Sequence, residues 1–439
     1  MIATKLNWGT HTAASGTTRL TPALALSACI GLIAAPAQAD IVTEWNEIAD
    51  NVANSTLPPG PPPKNRVMAM VQIAVHDALN SIDARYASYT GVSPAKAGAS
   101  PEAAVAAATY GVLLQTVPSQ ATALGTVYAD KILHLPGCPP VYPDCVEDGI
   151  DAGEAGAGAI LAERDGDGSG TPHLPYDLAP GPGVYQRTPP AFADPQWAGW
   201  AKMVPFALNS GSQFRSDPSE IFDLTSAAYT RDYNEVKRVG AANAEAIGNR
   251  TPDQTAIARF WPGGGANWNA VTRVIVAGRG LDPWEHARLF ALLNIGSSDS
   301  TVSVFDTKYV YNFWRPVTAI RAGDTDGNPA TQGDSSWSPL LPTPLYPDYT
   351  CGLTTNTGAA VEVLRRYFGT DDIAYTFTAA GSTRSYASLS AAAAESADAR
   401  VFAGIHFRTG CVQGVRQGEH VGRFVIQHFL KPVKANGKR

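Results

Sequence analysis

Apolar side chains recur at the three- and four-residue spacing of an α-helix along most of this chain, and this pattern restricts the fold most. The clearest stripe comprises Val67, Met70, Val71, Ala74, Ala78 and Ile82, and further stripes cover residues 101–116, 120–134, 150–163 and 219–238. Such spacing places apolar residues on one helix face, which packs against a core. Alternation with a period of two is scarce, so we predict a mainly α protein without a sizeable sheet.

Local signals indicate where helices begin and where the chain is irregular. Residues 100–102, Ser-Pro-Glu, and residues 282–285, Asp-Pro-Trp-Glu, each combine a capping side chain with a proline at the first helical position. The second of these helices is predicted to reach about Ile295 or beyond. Proline-rich connections are predicted at residues 57–63, 172–195 and 339–348.

Composition excludes several classes of protein. The chain has 439 residues, of which 44% are apolar and 16% charged, too much core material for a disordered or coiled-coil protein. No Gly/Ser linker or run of charge marks a domain boundary, so we predict one continuous helical body. The formal net charge of −6 gives no reason to expect a nucleic-acid partner.

The N-terminal segment resembles an export signal. Lys5 and Arg19 precede an apolar stretch over residues 20–35, and residues 37–39, Ala-Gln-Ala, form a small-x-small cleavage site. We therefore interpret residues 1–39 as a signal peptide and expect a secreted or periplasmic protein.

A second processing site is present inside the same segment. Residues 26–29, Leu-Ser-Ala-Cys, have the form of a lipoprotein box, so lipidation at Cys29 is the alternative. No later stretch reaches about 18 consecutive apolar residues, so no membrane span is predicted.

Removal of residues 1–39 leaves four cysteines, an even number for an oxidising compartment. Cys138 and Cys145 bracket a short proline-rich segment that suits a disulfide loop. Cys351 and Cys411 would then form the remaining pair; the alternative is that they are buried free thiols.

Two cations stand out in residues 308–316, Lys-Tyr-Val-Tyr-Asn-Phe-Trp-Arg-Pro. Lys308 and Arg315 are seven residues apart, about two helical turns, so they are predicted to share one helix face, with Pro316 ending the element. The flanking residues are too apolar for a freely exposed helix. Two buried cations require an anion.

A third cation and a histidine follow at Arg400 and His406. Six residues is not a same-face spacing, so the helix must end near Gly404 for the two side chains to act together. Arginines bind a tetrahedral oxyanion through paired N–H groups, and an imidazole can attack or ligate its central atom.

These segments resemble the signature of the vanadium-dependent haloperoxidases and type 2 phosphatidic acid phosphatases, which reads Lys-x6-Arg-Pro, Pro-Ser-Gly-His and Ser-Arg-x5-His. The resemblance implies that Lys308, Arg315 and Arg400 clamp vanadate, or phosphate in the same pocket, with the Gly352 amide. It implies that His406 ligates vanadium in a haloperoxidase or attacks phosphorus in a phosphatase.

The chain departs from the signature at the central motif. Cys351 stands where the family has serine, a far stronger donor, and Leu353 stands where the family has its acid–base histidine. Ala399 likewise replaces the serine before Arg400. Leucine cannot move a proton, so activity is expected to be impaired unless a group such as His76 substitutes.

The resemblance also implies the architecture and partners. The expected fold is all-α, with two packed four-helix bundles in one body: an N-terminal bundle at about 40–240 and a site-bearing bundle at about 241–439. The substrates would be hydrogen peroxide, halide and an organic acceptor, or a phosphate ester; a homo-oligomer is left open. Three functions compete: a haloperoxidase, an acid phosphatase with His406 as nucleophile, and a catalytically silent oxyanion-binding homologue.

Overall fold

Thirteen α-helices and one β-hairpin form the regular structure of the described residues, 40–58, 60–173 and 176–433 of a computed structural model. The helices are α1 (Ile41–Thr56), α2 (Pro61–Ile82), α3 (Pro101–Thr116), α4 (Ala121–Leu133), α5 (Cys145–Glu163), α6 (Ala227–Val239), α7 (Pro252–Phe260), α8 (Trp268–Val276), α9 (Pro283–Tyr311), α10 (Pro316–Arg321), α11 (Gly352–Phe368), α12 (Leu389–Phe402) and α13 (Arg408–His428). Strands β1 (Tyr375–Ala379) and β2 (Ser382–Tyr386) pair antiparallel.

The predicted all-α fold class is confirmed, and most apolar stripes coincide with helices. The stripe predicted over 219–238 is wrong at its start, because residues 220–222 form a short 3₁₀ turn and α6 begins only at Ala227, capped by Ser226. Residues 57–63 were predicted to be a connection, but Pro61–Pro63 open α2, since proline fits the first helical turn, where its missing N–H is not needed. The proposed signal segment, including Cys29, lies outside the described residues. None of the described helices is both long and apolar enough to cross a bilayer.

Two groups of helices share the long helix α9. On one side, α2 packs against α1, α3, α5 and α9; on the other, α11 and α13 pack against each other and against α9, with α12 alongside them. Helix α9 is buried over most of its 29 residues. This arrangement agrees with the expected pair of packed bundles, while the boundary near residue 240 stays a prediction.

A stripe of glycines brings α13 very close to α11. Gly414, Gly418 and Gly422 recur every four residues on α13 and face α11. A Cβ atom at Gly418 would lie 1.9 Å from the Thr355 carbonyl oxygen, and one at Gly422 would lie 2.4 Å from the Ala359 oxygen. Only glycine permits this approach. It fixes the N-terminal end of α11, which carries the central motif.

Candidate active site

Lys308 and Arg315 lie on different elements. Helix α9 ends at Tyr311, because Asn312 adopts the left-handed conformation with φ of 50°. Arg315 is the residue before α10, and Pro316 begins that helix rather than ending the preceding one. The prediction that the two cations share a helix face is therefore wrong. The sharp turn still brings them together.

Both cations lie against the ring of Tyr346. The Lys308 ammonium is 5.1 Å and the Arg315 guanidinium 5.0 Å from the ring centroid, within the range of cation–π interaction. Arg315 Nε also donates to the Tyr346 carbonyl oxygen at 2.7 Å. Tyr346, which lines the cavity described below, therefore contacts both cations.

The Lys308 ammonium is fully buried and donates to two backbone carbonyls, Pro347 at 2.9 Å and Asp348 at 2.8 Å. Burial, with a smaller contribution from the Arg315 charge, lowers the pKa of Lys308 to about 7. The Lys308 ammonium therefore loses its proton near neutral pH.

Asp348 supplies the anion that two buried cations require. Its carboxylate is fully buried, and Oδ1 lies 3.6 Å from Arg315 Nη1. The same Oδ1 lies 2.9 Å from His406 Nδ1. The sequence analysis did not identify this residue, because Asp348 belongs to an irregular proline-rich connection without periodicity. An acid directly before the central motif is the signal that could have found it.

The chain turns sharply to present His406, as predicted. Helix α12 ends at Phe402, and Gly404 has a φ of +77°, a conformation that glycine adopts without strain. His406 is 1% exposed. The Arg315 Nη1 atom lies 3.0 Å from His406 Nε2 and donates to the Ile405 carbonyl at 2.8 Å. The imidazole is therefore held between a carboxylate and a guanidinium.

Two guanidinium N–H groups at this site lack partners. Arg315 Nη2 and Arg400 Nε are both buried, and neither has a hydrogen-bond acceptor among the described residues. A buried donor without an acceptor costs about 1–3 kcal/mol, more for a charged group. Such atoms are suited to binding an anion.

The central motif lies at the start of α11. Gly352 is the first residue of the helix and Leu353 the second, and both line the cavity. At Leu353 there is no group that can transfer a proton. Cys351 precedes the helix and is fully buried, and its N–H donates to the Gly410 carbonyl at 3.0 Å.

The structure distinguishes the two cysteine pairs. Cys138 and Cys145 are joined by a disulfide, as predicted. Cys351 and Cys411 are both free and buried, so the predicted second disulfide is not formed and the alternative, two buried free thiols, is observed. Burial raises the pKa of Cys351, but the hydrogen bond from Cys411 and the nearby His406 together bring that pKa well below its usual value.

A cavity of about 310 Å³ ends at these residues. We call five of its lining residues the floor, because they belong to or lie near the sequence motifs: Tyr346, Gly352, Leu353, Arg400 and His406. The other lining residues are Asn54, Pro61, Lys64, Asn65, Trp261, Pro262, Gly264, Ala266, Asn267, Thr301, Val304, Phe305 and Asn356. His76, considered above as a substitute acid–base group, is not among the lining residues; it is buried on α2, with Nδ1 2.9 Å from Asp77 Oδ1.

The donors at the floor fit a tetrahedral oxyanion such as vanadate or phosphate. The unpartnered Arg400 Nε atom and the His406 imidazole belong to lining residues, and so does Gly352, the first residue of α11. Guanidinium groups and helix N-termini both favour anions. Lys308 and Arg315 are not among the lining residues, so Lys308 would act on such an anion through its charge rather than by contact.

Comparisons with known proteins relate this chain to vanadium-dependent peroxidases. Residues 288–435 match the family described as VCPO second helical-bundle domain. The vanadium chloroperoxidase of Curvularia inaequalis is 29% identical over 194 residues, which cover 37% of this chain. The matched region spans about a third of that relative, 31% of its length.

Solved structures share the fold over nearly the whole chain. A bacterial vanadium-dependent iodoperoxidase superposes with a TM-score of 0.75 at 25% identity, covering 90% of this chain and 99% of its own. A bacterial vanadium-dependent chloroperoxidase in its holo form superposes with a TM-score of 0.66 at 18% identity, covering 90% of this chain and 99% of its own. The second likeness concerns the fold alone.

Proposed function

We propose that this chain, which resembles the vanadium-dependent haloperoxidases in sequence and fold, is a haloperoxidase-type oxidoreductase that uses hydrogen peroxide to oxidise halide at a vanadate held by His406. The observation that carries the proposal is the presence of His406 and Arg400 in the lining of one cavity, with the Arg400 Nε atom buried and without an acceptor among the described residues. Vanadate, when bound, supplies the Lewis acid that activates peroxide.

Each residue of the floor has a distinct role in the proposal. His406 would ligate the oxyanion through Nε2, because Nδ1 faces the Asp348 carboxylate, which favours a proton on that nitrogen. Arg400 and Arg315 would bind the oxygens, and the Gly352 amide at the start of α11 would add a donor. Arg315 now donates toward Nε2, so its guanidinium would be shared with the oxyanion.

The experiment is a calorimetric titration of the chain lacking residues 1–39 with orthovanadate. Micromolar binding by the unmodified protein, lost in His406→Ala, supports the proposal. The matched control is His134→Ala, because His134 is an exposed histidine at the end of α4. Halide oxidation with peroxide is then measured on the loaded protein. Absence of binding in the unmodified protein would make the silent homologue the better interpretation.

An acid phosphatase is the second candidate function. The same Nε2 atom, with Nδ1 paired to Asp348, suits a nucleophile that attacks phosphorus. Hydrolysis of a chromogenic phosphate monoester, with trapping of phosphate on His406, tests this candidate. Vanadate-dependent halide oxidation without monoester turnover favours the haloperoxidase.

Export completes the proposal. We interpret residues 1–39 as a cleaved signal, so the protein would act outside the cytoplasm; lipidation of Cys29 is the alternative. N-terminal sequencing of the exported protein distinguishes them, because cleavage after Ala39 leaves Asp40 as the first residue.

A further inference from the structure

A proton donor is missing from the position where the superfamily signature places one. Leu353 lines the cavity floor and carries no titratable group. Proton transfer by a positioned side chain typically accelerates a reaction by about 10² to 10⁴-fold. An active protein therefore requires another group at the floor that holds a proton.

Four cavity-lining residues carry a titratable side chain: Lys64, Tyr346, Arg400 and His406. An arginine keeps its proton at every physiological pH. His406 is assigned to the oxyanion itself. Lys64 is already paired, because its ammonium is 3.0 Å from Asp50 and donates to Asn54 at 2.7 Å. Tyr346 is the remaining group.

The ring of Tyr346 is held on several sides. Lys308 and Arg315 lie against its face, and Phe305 meets it edge-on with the ring centroids 5.3 Å apart. The backbone is fixed by the hydrogen bond from Arg315 Nε to the Tyr346 carbonyl. Tyr346 is partly exposed and lines the cavity, and Arg315 is a hydrogen-bonding neighbour of its hydroxyl.

The local charges suit a donor rather than a base. Burial raises the pKa of the Tyr346 hydroxyl, and the charges of Arg315 and Arg400 offset only part of that rise. The phenol therefore keeps its proton at neutral pH.

Because Tyr346 lines the same cavity as Leu353, Arg400 and His406, we propose that it is a catalytic residue whose hydroxyl donates a hydrogen bond, and then its proton, to an oxyanion bound at His406, in place of the side chain absent at Leu353. This inference rests on the proposed function. In monoester hydrolysis, His406 Nε2 forms a bond to phosphorus as the ester P–O bond breaks, and the leaving oxygen takes the Tyr346 proton. Water then displaces the imidazole and returns one proton to the phenolate, so the enzyme is restored.

Tyr346→Phe tests the proposal, because it removes the hydroxyl and keeps the ring against both cations. Calorimetry with orthovanadate should show about tenfold or greater loss of affinity, as expected for a lost hydrogen bond to a charged group. Turnover should fall by about 10²-fold. The control is Tyr309→Phe, because the Tyr309 hydroxyl donates to the Gln196 carbonyl and the residue is not among those lining the cavity.

Rescue gives a second readout. In the Tyr346→Phe background, Leu353→His should restore turnover at least tenfold, because an imidazole then faces the same oxyanion. Unchanged vanadate affinity and unchanged turnover in Tyr346→Phe would overturn the role of Tyr346 and leave the proposed function intact. Failure of the unmodified protein to bind either orthovanadate or inorganic phosphate would overturn both.

Discussion

The Nδ1 atom of His406 lies 2.9 Å from the Oδ1 atom of Asp348, and both residues are almost completely buried. At this distance the carboxylate favours a proton on Nδ1, although the contact lacks normal hydrogen-bond geometry. The Nε2 atom then faces Arg315 Nη1 at 3.0 Å. Removal of such a supporting group typically costs about 10–100-fold in affinity or activity.

Asp348→Asn should therefore weaken orthovanadate binding by about 10-fold or more. Calorimetry measures this, and Asp306→Asn is the control, because Asp306 pairs with Arg215 at 2.7 Å and is not among the cavity-lining residues. Equal affinities for the unmodified protein and Asp348→Asn would show that His406 does not depend on this contact.

Leu353→His should raise bromide oxidation or phosphatase turnover in the otherwise unmodified protein. The side chain already lines the cavity floor, so an imidazole there can reach a bound oxyanion. The expected gain is about tenfold or more, within the usual range for acid–base catalysis. Leu353→Phe provides a ring that cannot transfer a proton. An equal effect of both substitutions would attribute the change to shape alone.

The lowered pKa of Lys308, about 7, predicts pH-dependent anion binding. Below that pH the ammonium is charged and attracts an anion; above it the neutral amine does not. Sulfate is a suitable probe, because its charge is constant over this range. The ratio of sulfate affinities of the unmodified protein and Lys308→Met should decrease as pH rises through about 7. A ratio that is constant between pH 6 and 9 would contradict the prediction.

Thiol titration distinguishes the two states of Cys351 and Cys411. Because both are buried and free, the protein lacking residues 1–39 should expose no reactive thiol when folded and two when denatured without reductant. Cys411→Ser should lower the second number to one. No thiols in the denatured, unreduced protein would instead establish the disulfide that the even cysteine number suggested.

Gly418→Ala should destabilise the fold, because the added methyl carbon would lie 1.9 Å from the Thr355 carbonyl oxygen. Overpacking of this kind typically costs about 1–3 kcal/mol or more. Gly158→Ala is the matched control on α5, since a Cβ there meets nothing within 4 Å. That control should stabilise the protein by about 0.5–1 kcal/mol, the difference in helix propensity. Both values are measured by denaturant unfolding, and equal effects would contradict the close packing of α11 and α13.

Local patterns were sufficient to predict several of the helices, among them α2, α3, α4, α5 and α9. The cap at Ser100 accepts a hydrogen bond from Ala103, and Asp282 and Glu285 form a complete capping box. The turn at Gly404 was also predicted, because Arg400 and His406 cannot share a helix face. These features depend on residues within one or two turns of each other, so their physics is contained in short stretches of sequence.

For Lys308 and Arg315, local spacing gave a wrong prediction. Their spacing suited one helix, yet the left-handed Asn312 and the new start at Pro316 separate them. The spacing of two residues along the chain does not determine whether the backbone between them continues as a helix.

The sequence alone determined the helical fold and the residue types able to hold an oxyanion. Only the tertiary structure placed Asp348 next to His406. It also placed Tyr346 in the lining of the cavity. Both belong to an irregular connection that has no periodic pattern, so their partners are set by the packing of α9, α11 and α12 around them. The role of an acid or a phenol depends on the charged groups around it, and those groups come from distant parts of the chain.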